Sequence, residues 1–334
     1  MDRDAIKNKA LGCLLGGLIG DAMGAPVEGW HYERIIKEKG RVVDFEGAGT
    51  DDSAIKMVLC EALIKNGGHV SADSFAESFL AHPEYYDLFF VPVRNMYHKI
   101  QDGIELPVNA GYGNMASSSS AMAISPIGVV NACDPRVAAS EAYEAAGLIH
   151  SGCSSFCRDG ASAVAAAVAE AFSPDASAES VLAASQTYLH PKSAETMKGK
   201  IARALALARE AGSFEEFRRL YYTKMELYNT ICDSRETVPV ALALFYLSGG
   251  DGARAIEYGA NFGRDADTIA TMSGAIAGAF SGLNGLKSRW IEKATAENAR
   301  QGELAEKMVD LIIYRCEEKR SVLAKIELIG QNII

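Results

Sequence analysis

Two acidic segments, far apart in the chain, carry side chains that could bind cations. They are Thr50-Asp51-Asp52 and Asp265-Ala266-Asp267-Thr268. Each comes directly before an apolar stretch with helical periodicity. Each is therefore also a good helix start, in which a hydroxyl or carboxylate caps the first amides and acidic residues face the positive end of the helix dipole. Helix-start chemistry is sufficient for the first segment taken alone, although that segment holds more oxygen atoms than a cap needs.

The second segment favours a functional role. Residues two apart do not share a helix face, so Asp265 and Asp267 can converge only in an irregular turn, with Thr268 as the expected helix start. The following helix is rich in small apolar residues and is expected to be buried. Because two buried carboxylates would be unsatisfied without cations, this turn predicts ion binding.

The segment 20–28 supplies two further acids. Asp21 suits a structural hydrogen-bond acceptor as well as a ligand, whereas Glu28 follows a break at Pro26 and could point toward the same site. A cluster of five carboxylates cannot stay ionised at neutral pH without cations, and oxygen ligands favour two Mg²⁺ or Mn²⁺ ions over Zn²⁺. The five are Glu28, Asp51, Asp52, Asp265 and Asp267.

The elements that position these residues are predicted to be helices. In residues 54–64 the apolar side chains recur at three- and four-residue spacing, which leaves Lys56 and Glu61 off the apolar face. Residues 41–45 are a short candidate for an extended segment, but no series of alternating strands appears. The Gly- and Ser-rich stretch 109–125 is predicted to be an irregular, functional loop. Helical periodicity is also present at 137–149, 161–172, 194–208, 238–247, 253–260, 270–280 and 304–316.

Composition predicts one all-α domain over residues 1–334, because no polar or Pro-rich linker divides the chain. Its recurrent Ala and Gly residues suit closely packed helices. The net charge of -10 argues against a nucleic-acid partner. The apolar stretch 11–20 is about half the length of a membrane span and resembles a secretory signal poorly. Seven cysteines without regular spacing suit reduced thiols, so we predict a cytoplasmic protein without membrane partners.

Three segments together resemble the signature sequences of the ADP-ribosylglycohydrolase family. They are GGLIGDAMGAPVE (16–28), TDDSAIKM (50–57) and GRDADTIATMSGAIAGAFSG (263–282), and they follow the family's order. The resemblance extends over roughly residues 7–285. It implies a compact all-α domain whose central cleft holds two magnesium or manganese ions.

The resemblance also implies a role for each acidic residue. Asp267 would bridge the two ions, and Glu28 would contact the second ion or its water. The implied reaction is hydrolysis at the anomeric carbon of a ribose, with Glu28 as the first candidate for the general base and Asp52 as the second. The remaining ligands would be Thr50, Asp51 and Asp52 for one ion, and Asp265 and Thr268 for the other.

The loop that faces the ribose and phosphates in the family departs from its pattern here. Many members have a Gly-Asn-Gly-type loop followed by Ala-Met-Arg-Ile, whereas this chain reads SSSAMAISPIG (118–128). This chain lacks the Asn amide and the Arg guanidinium of that pattern. Their absence weakens the expectation of an ADP-ribosyl substrate and favours a smaller, nucleoside-like N-glycoside. The predicted substrate contacts are Ser118, Ser119, Ser120, Met122 and His150.

Several alternatives stay open at this point. His150 also suits a cap or a core position, and solvent exposure is expected for Tyr112 and Asn114, which could otherwise contact a base. The predicted partner is a ribosyl or ADP-ribosyl small molecule, or an ADP-ribosylated protein. The competing hypotheses are a catalytically inactive relative that binds ADP-ribose-like nucleotides, and a structural helical protein whose helix-start acids bind nothing.

Overall fold

The computed structural model describes residues 2–298 and 300–331. Over these residues the chain forms sixteen α-helices and no β-strand, which confirms the predicted all-α fold. Residues 41–45 are irregular, and the loop between a 3₁₀ turn at Pro107–Asn109 and the helix at Ser125 is irregular as predicted. The helices are α1 (Arg3–Gly24), α2 (Tyr32–Lys39), α3 (Asp51–Lys65), α4 (Ala72–Ala81), α5 (Val91–Gln101), α6 (Ser125–Val130), α7 (Pro135–Ala145), α8 (Phe156–Ala171), α9 (Ala178–Thr187), α10 (Glu195–Ala211), α11 (Phe214–Lys224), α12 (Ser234–Ser248), α13 (Gly252–Ala260), α14 (Ala266–Ser281), α15 (Ser288–Glu297) and α16 (Arg300–Gln331).

The pairing of α1 with α14 forms the centre of the fold. The two helices run antiparallel, and glycines spaced four residues apart on α1 let the backbones touch. A Cβ atom on Gly16 would overlap the carbonyl group of Gly274, and one on Gly24 would overlap the backbone of Asp267. The last turn of α1 therefore lies against the first turn of α14. Equivalent approaches occur at Gly12 against Gly278 and at Gly20 against Ala270.

α1 is more extensively apolar than the stretch 11–20 predicted. It is long and apolar enough to cross a membrane by length and composition, yet 83% of that apolar window is buried inside the protein. The residues from Gly12 to Gly24 are all buried. In this structure α1 is thus a core helix.

α3 is buried on more sides than its periodicity predicted. Lys56, off the expected apolar face, is only 4% exposed, and its Nζ atom has no hydrogen-bond partner. The ammonium group occupies space beside Gly17 of α1, where a Cβ atom would overlap it. Glu61, on the same helix, forms ion pairs with His82 and Arg300. The difference arises because α1, α4, α6 and α16 all pack around α3.

Candidate metal centre

The predicted acidic residues meet in one cavity of about 630 Å³. It opens between the start of α3, the start of α14 and the turn that follows α1. Of the twelve residues predicted to bind ions or substrate, all but Thr50, Ser120 and His150 line it. The nine lining residues are Glu28, Asp51, Asp52, Ser118, Ser119, Met122, Asp265, Asp267 and Thr268.

The start of α3 is held in place by Asp21. Thr50 caps the helix, and its backbone N–H and its Oγ1 both donate to the Asp21 carboxylate at 2.9 Å. Ser53 donates to the same carboxylate from its N–H at 2.9 Å and from its Oγ at 2.5 Å. Asp21 is therefore the structural acceptor that the sequence left open. Its bonds fix the turn on which Asp51 and Asp52 stand.

The start of α14 is an irregular turn, as the Asp-x-Asp spacing required. Gly263 and Arg264 both have positive φ, at 87° and 59°, and Asp265 is the residue before the helix. The helix begins at Ala266 rather than at the expected Thr268, so Asp267 lies in its first turn. The turn thus lets Asp265 and Asp267 face one point.

Glu28 is tied to this turn through backbone bonds. The N–H of Gly29 donates to the carbonyl of Arg264 at 2.7 Å, and the N–H of Arg264 donates to that of Trp30 at 2.8 Å. One carboxylate oxygen from each of Glu28, Asp265 and Asp267 lies within 4.8 Å of the others, a spacing that could hold a metal ion.

An ion pair that sequence reasoning missed supports the same turn. The Arg264 guanidinium donates to Glu236 of α12 and to the carbonyl of Tyr228. Glu236 is fully buried, and Arg264 is its ion-pair partner. The residue before Asp265 therefore anchors the turn to α12. No local signal marked this pair, because 28 positions separate its members.

Polar contacts also join the two acidic segments. Thr268 donates from Oγ1 to Asp52 Oδ2 at 3.3 Å, and Ser118 donates from Oγ to Asp265 Oδ2 at 3.1 Å. Asp52 Oδ1 and Asp267 Oδ1 are buried and have no hydrogen-bond partner. Buried carboxylate oxygens without partners are costly, so this donor set fits a bound cation.

Burial and mutual repulsion raise the pKa of every carboxyl group in the cluster. Burial raises the pKa of Asp265 to about 7 and that of Asp51 to about 6. Burial and the neighbouring carboxylates raise the pKa of Asp52 and that of Asp267 well above their usual range. The pKa of Glu28 is raised chiefly by burial. The cluster therefore accepts protons readily unless cations compensate its charge.

Ser120 and His150 lie behind the cavity wall rather than on it. His150 is fully buried and bonds to Ser117 Oγ at 3.0 Å and to Ser120 Oγ at 2.6 Å. Burial lowers the pKa of His150 to about 3, which keeps the ring neutral. Neither side chain lines the cavity in this structure, and the burial of His150 fits the core role that was the alternative. The ring holds the serine loop in place.

The two loop residues expected to be exposed differ. Tyr112 is 69% exposed, as expected. Asn114 is buried and donates to the carbonyls of Pro92 and Ile149 at 2.9 and 2.8 Å, so its expected exposure was wrong. Its amide satisfies two backbone groups that the loop would otherwise leave unpaired.

Comparison with known proteins agrees with this architecture. The family model described as ADP-ribosylglycohydrolase matches residues 2–320. The chain belongs to the ADP-ribosylglycohydrolase family. The family's glycohydrolase activity supports an enzyme that acts on glycosidic bonds.

Individual relatives are more distant. The chain is 27% identical over 304 residues to the uncharacterised protein YegU of Escherichia coli strain K12, covering 83% of this chain and 89% of YegU. It is 28% identical over 320 residues to an uncharacterised protein of Archaeoglobus fulgidus, covering 92% and 97%. A solved structure described as an ADP-ribosylglycohydrolase-related protein complex has a TM-score of 0.69 at 23% identity. The match covers 92% of this chain and 99% of the chain in that structure. At 23% identity it supports only the fold.

Proposed function

We propose that this protein hydrolyses a ribosyl N- or O-glycosidic bond with the help of two divalent cations. The observation that carries the proposal is the convergence of five carboxylates in one cavity, with buried, unpartnered oxygen atoms on Asp52 and Asp267. Carboxylate, hydroxyl and water oxygens are the ligands that Mg²⁺ and Mn²⁺ prefer. Family membership supplies the reaction class.

The proposed ligand assignment is the one that the family resemblance implies. Asp267 belongs to the second acidic segment and lies close enough to Asp52 of the first to raise its pKa, and it is proposed to serve both ions. Thr50 lies outside the cavity wall; its hydroxyl donates to Asp21 and accepts from the N–H of Asp52 at 3.4 Å, which leaves one oxygen lone pair for a cation. The proposed ligands are Thr50, Asp51 and Asp52 for one ion, Asp265 and Thr268 for the other, and Asp267 for both, with Glu28 beside the second ion.

The ions would supply positive charge beside the ribose and orient its hydroxyl groups. Glu28, the exposed member of the cluster, is proposed to accept a proton from the attacking water. The water oxygen forms the new bond to the anomeric carbon while the bond to the leaving group breaks. The leaving group takes up a proton from solvent, and Glu28 returns the proton that it accepted to solvent. Burial raises the pKa of Glu28, and a carboxylate with a raised pKa is a stronger base.

The proposal is tested with protein stripped by a chelator and reloaded with Mg²⁺ or Mn²⁺. The substrates are ADP-ribosylated proteins, ADP-ribosyl small molecules and nucleosides, and release of ribose or ADP-ribose is measured. Asp267→Asn is expected to abolish turnover and to weaken ion binding in calorimetry. Asp175→Asn, at an exposed position outside the cavity, is the matched control. Turnover by Asp267→Asn at the wild-type rate would contradict the proposal.

Tight binding of ADP-ribose without turnover of any substrate would favour the inactive nucleotide-binding relative instead. The observation that favours this second function is the serine loop, which lacks the family's amide and guanidinium. Calorimetry that detects no divalent-ion binding would leave only the structural role.

A further inference from the structure

One wall of the cavity is apolar and uncovered. Four large apolar side chains line it and remain partly exposed: Leu88 at 50%, Phe90 at 38%, Val91 at 48% and Met115 at 39%. Side chains of this size gain free energy when a ligand covers them. Because they stand inside the cavity that holds the carboxylates, a ligand that reaches the carboxylates also meets this wall.

The wall is a fixed part of the site. The N–H of Phe90 donates to Asp51 Oδ2 at 3.3 Å, which joins the wall to the start of α3. The next side chain inward, Phe89, is buried and packs against Phe79 and Tyr97 at ring distances of 5.5 and 6.2 Å. This packing of Phe89 holds the segment 88–91 in place. The wall therefore has a set position relative to the proposed ion ligands.

The charges of the lining residues restrict what else a ligand can carry. The lining includes five carboxylates and a single guanidinium, that of Arg94. Arg94 is already engaged, since it donates to the carbonyl of Asp87 at 2.7 Å and lies over the ring of Tyr86. Two divalent ions and Arg94 together only balance the five carboxylates. The cavity thus has no surplus positive charge for a diphosphate.

We infer that the substrate is an uncharged riboside whose leaving group is a flat, apolar ring that lies on the wall of Leu88, Phe90, Val91 and Met115. This inference rests on the proposed function and names its substrate class. The ribose hydroxyls point to the carboxylate side, and the ring covers the apolar side. A 5′-phosphate or diphosphate adds negative charge that the cavity does not compensate.

The first experiment compares matched ligands on the Mg²⁺- or Mn²⁺-loaded protein. The substrates are purine and pyrimidine nucleosides, both anomers of 4-nitrophenyl riboside, adenosine 5′-monophosphate and ADP-ribose. The best uncharged riboside is expected to exceed its phosphorylated counterparts in kcat/KM by about tenfold or more. Higher kcat/KM for ADP-ribosyl compounds than for every uncharged riboside would overturn the inference and leave the proposed function intact.

The second experiment measures binding without turnover. Calorimetry with adenosine and 4-nitrophenol is carried out on the metal-free protein. Phe90→Ala is expected to weaken binding of the ring about tenfold, because an aromatic contact and its buried area are lost. Val91→Ser is a second wall variant in case Phe90→Ala folds poorly. The matched control is Leu106→Ala, which removes a side chain that is 68% exposed outside the cavity.

Arg94→Gln separates the two substrate classes. If Arg94 serves only to hold the neighbouring segment through Asp87 and Tyr86, the variant changes kcat/KM for charged and uncharged ligands equally. A selective loss with ADP-ribose would make Arg94 a phosphate ligand and would overturn the inference. Equal binding losses in Phe90→Ala and Leu106→Ala would also overturn it. If no substrate, charged or uncharged, is turned over while the ring still binds to the wall, the proposed function is rejected instead.

Discussion

A Cβ atom on Gly24 would overlap the Cα of Asp267. The last turn of α1 thus sets the position of the residue proposed to serve both ions. A position without any functional group is therefore expected to affect the proposed metal centre. Mutation of Gly24 is also more informative than mutation of most proposed metal ligands, because every carboxylate stays in place in the sequence.

Gly24→Ala is expected to lower the free energy of unfolding by about 1–3 kcal/mol, since the added methyl group forces α1 and α14 apart. It should also weaken Mg²⁺ binding by displacing Asp267. Urea denaturation and calorimetry measure the two effects. The matched control is Gly199→Ala in α10, where a Cβ atom meets nothing within 4 Å and is expected to stabilise the helix by about 0.5–1 kcal/mol. Unchanged ion binding in Gly24→Ala would contradict the role given to this contact.

The metal-free protein is expected to lose stability as pH rises. The pKa values of Asp51 (about 6) and Asp265 (about 7) exceed the usual 3.8, so the folded state holds these protons to higher pH than the unfolded chain does. Their stabilising contribution is complete below pH 3.8 and is lost as pH rises through about 6 to 7. Urea denaturation with a chelator should show this loss between pH 5 and pH 8. Added Mg²⁺ should restore stability more at pH 8 than at pH 5.

Asp267→Asn isolates the cluster's share of that pH dependence. The variant removes one carboxyl group with a strongly raised pKa, so its metal-free form should exceed the wild type in stability at pH 8 and match it more closely at pH 5. It should also gain less from Mg²⁺. If the free energy of unfolding varied identically with pH in the two metal-free proteins, the cluster would not control the pH dependence of stability.

His150 is expected to act in the opposite direction. Its pKa of about 3 lies below the usual 6.5, so its contribution is complete above pH 6.5 and is lost as pH falls toward 3. Between pH 7 and pH 5 this amounts to about 2 kcal/mol. His150→Gln should flatten the acid-side loss measured by urea denaturation, whatever its effect on absolute stability. A slope equal to that of the wild type would contradict a neutral, buried ring.

Lys56→Met is expected to stabilise the protein by about 1–3 kcal/mol, because a buried ammonium without hydrogen bonds is replaced by an apolar chain of similar length. Asp21 loses a nearby positive charge but keeps its four donors from Thr50 and Ser53. The control is Lys192→Met at an exposed position. Lower stability in Lys56→Met than in the control would show that the charge is needed beside Asp21.

The parts of the structure that were predictable from sequence are those governed by local pattern. Periodicity in residues 54–64 placed α3, and the Asp-x-Asp spacing required the irregular turn before α14 that the structure contains. The family resemblance brought Glu28 to the same site. The start of α14 was misplaced by two residues, because Asp265 rather than a later residue precedes the helix.

The parts that were not predictable depend on neighbours from distant segments. Lys56 is buried because four helices surround α3, and periodicity within one helix cannot reveal that. His150 and Asn114 have polar groups that a loop would normally expose, but their partners come from other turns. The ion pair of Arg264 with Glu236 likewise joins the turn before α14 to α12, and no spacing rule connects these two segments.

The antiparallel contact of α1 with α14 also dictates an order of folding. α1 leaves the ribosome before α14, and more than 240 residues of sequence separate the end of α1 from Asp267. Until α14 is available, the apolar residues of α1 lack the surface they pack against and are open to misassociation. The carboxylates of α3 and α14 can meet only once these ends of the fold have closed on each other, and such long-range closure is slow. The proposed ion binding therefore requires that α1 and α14 have already packed together.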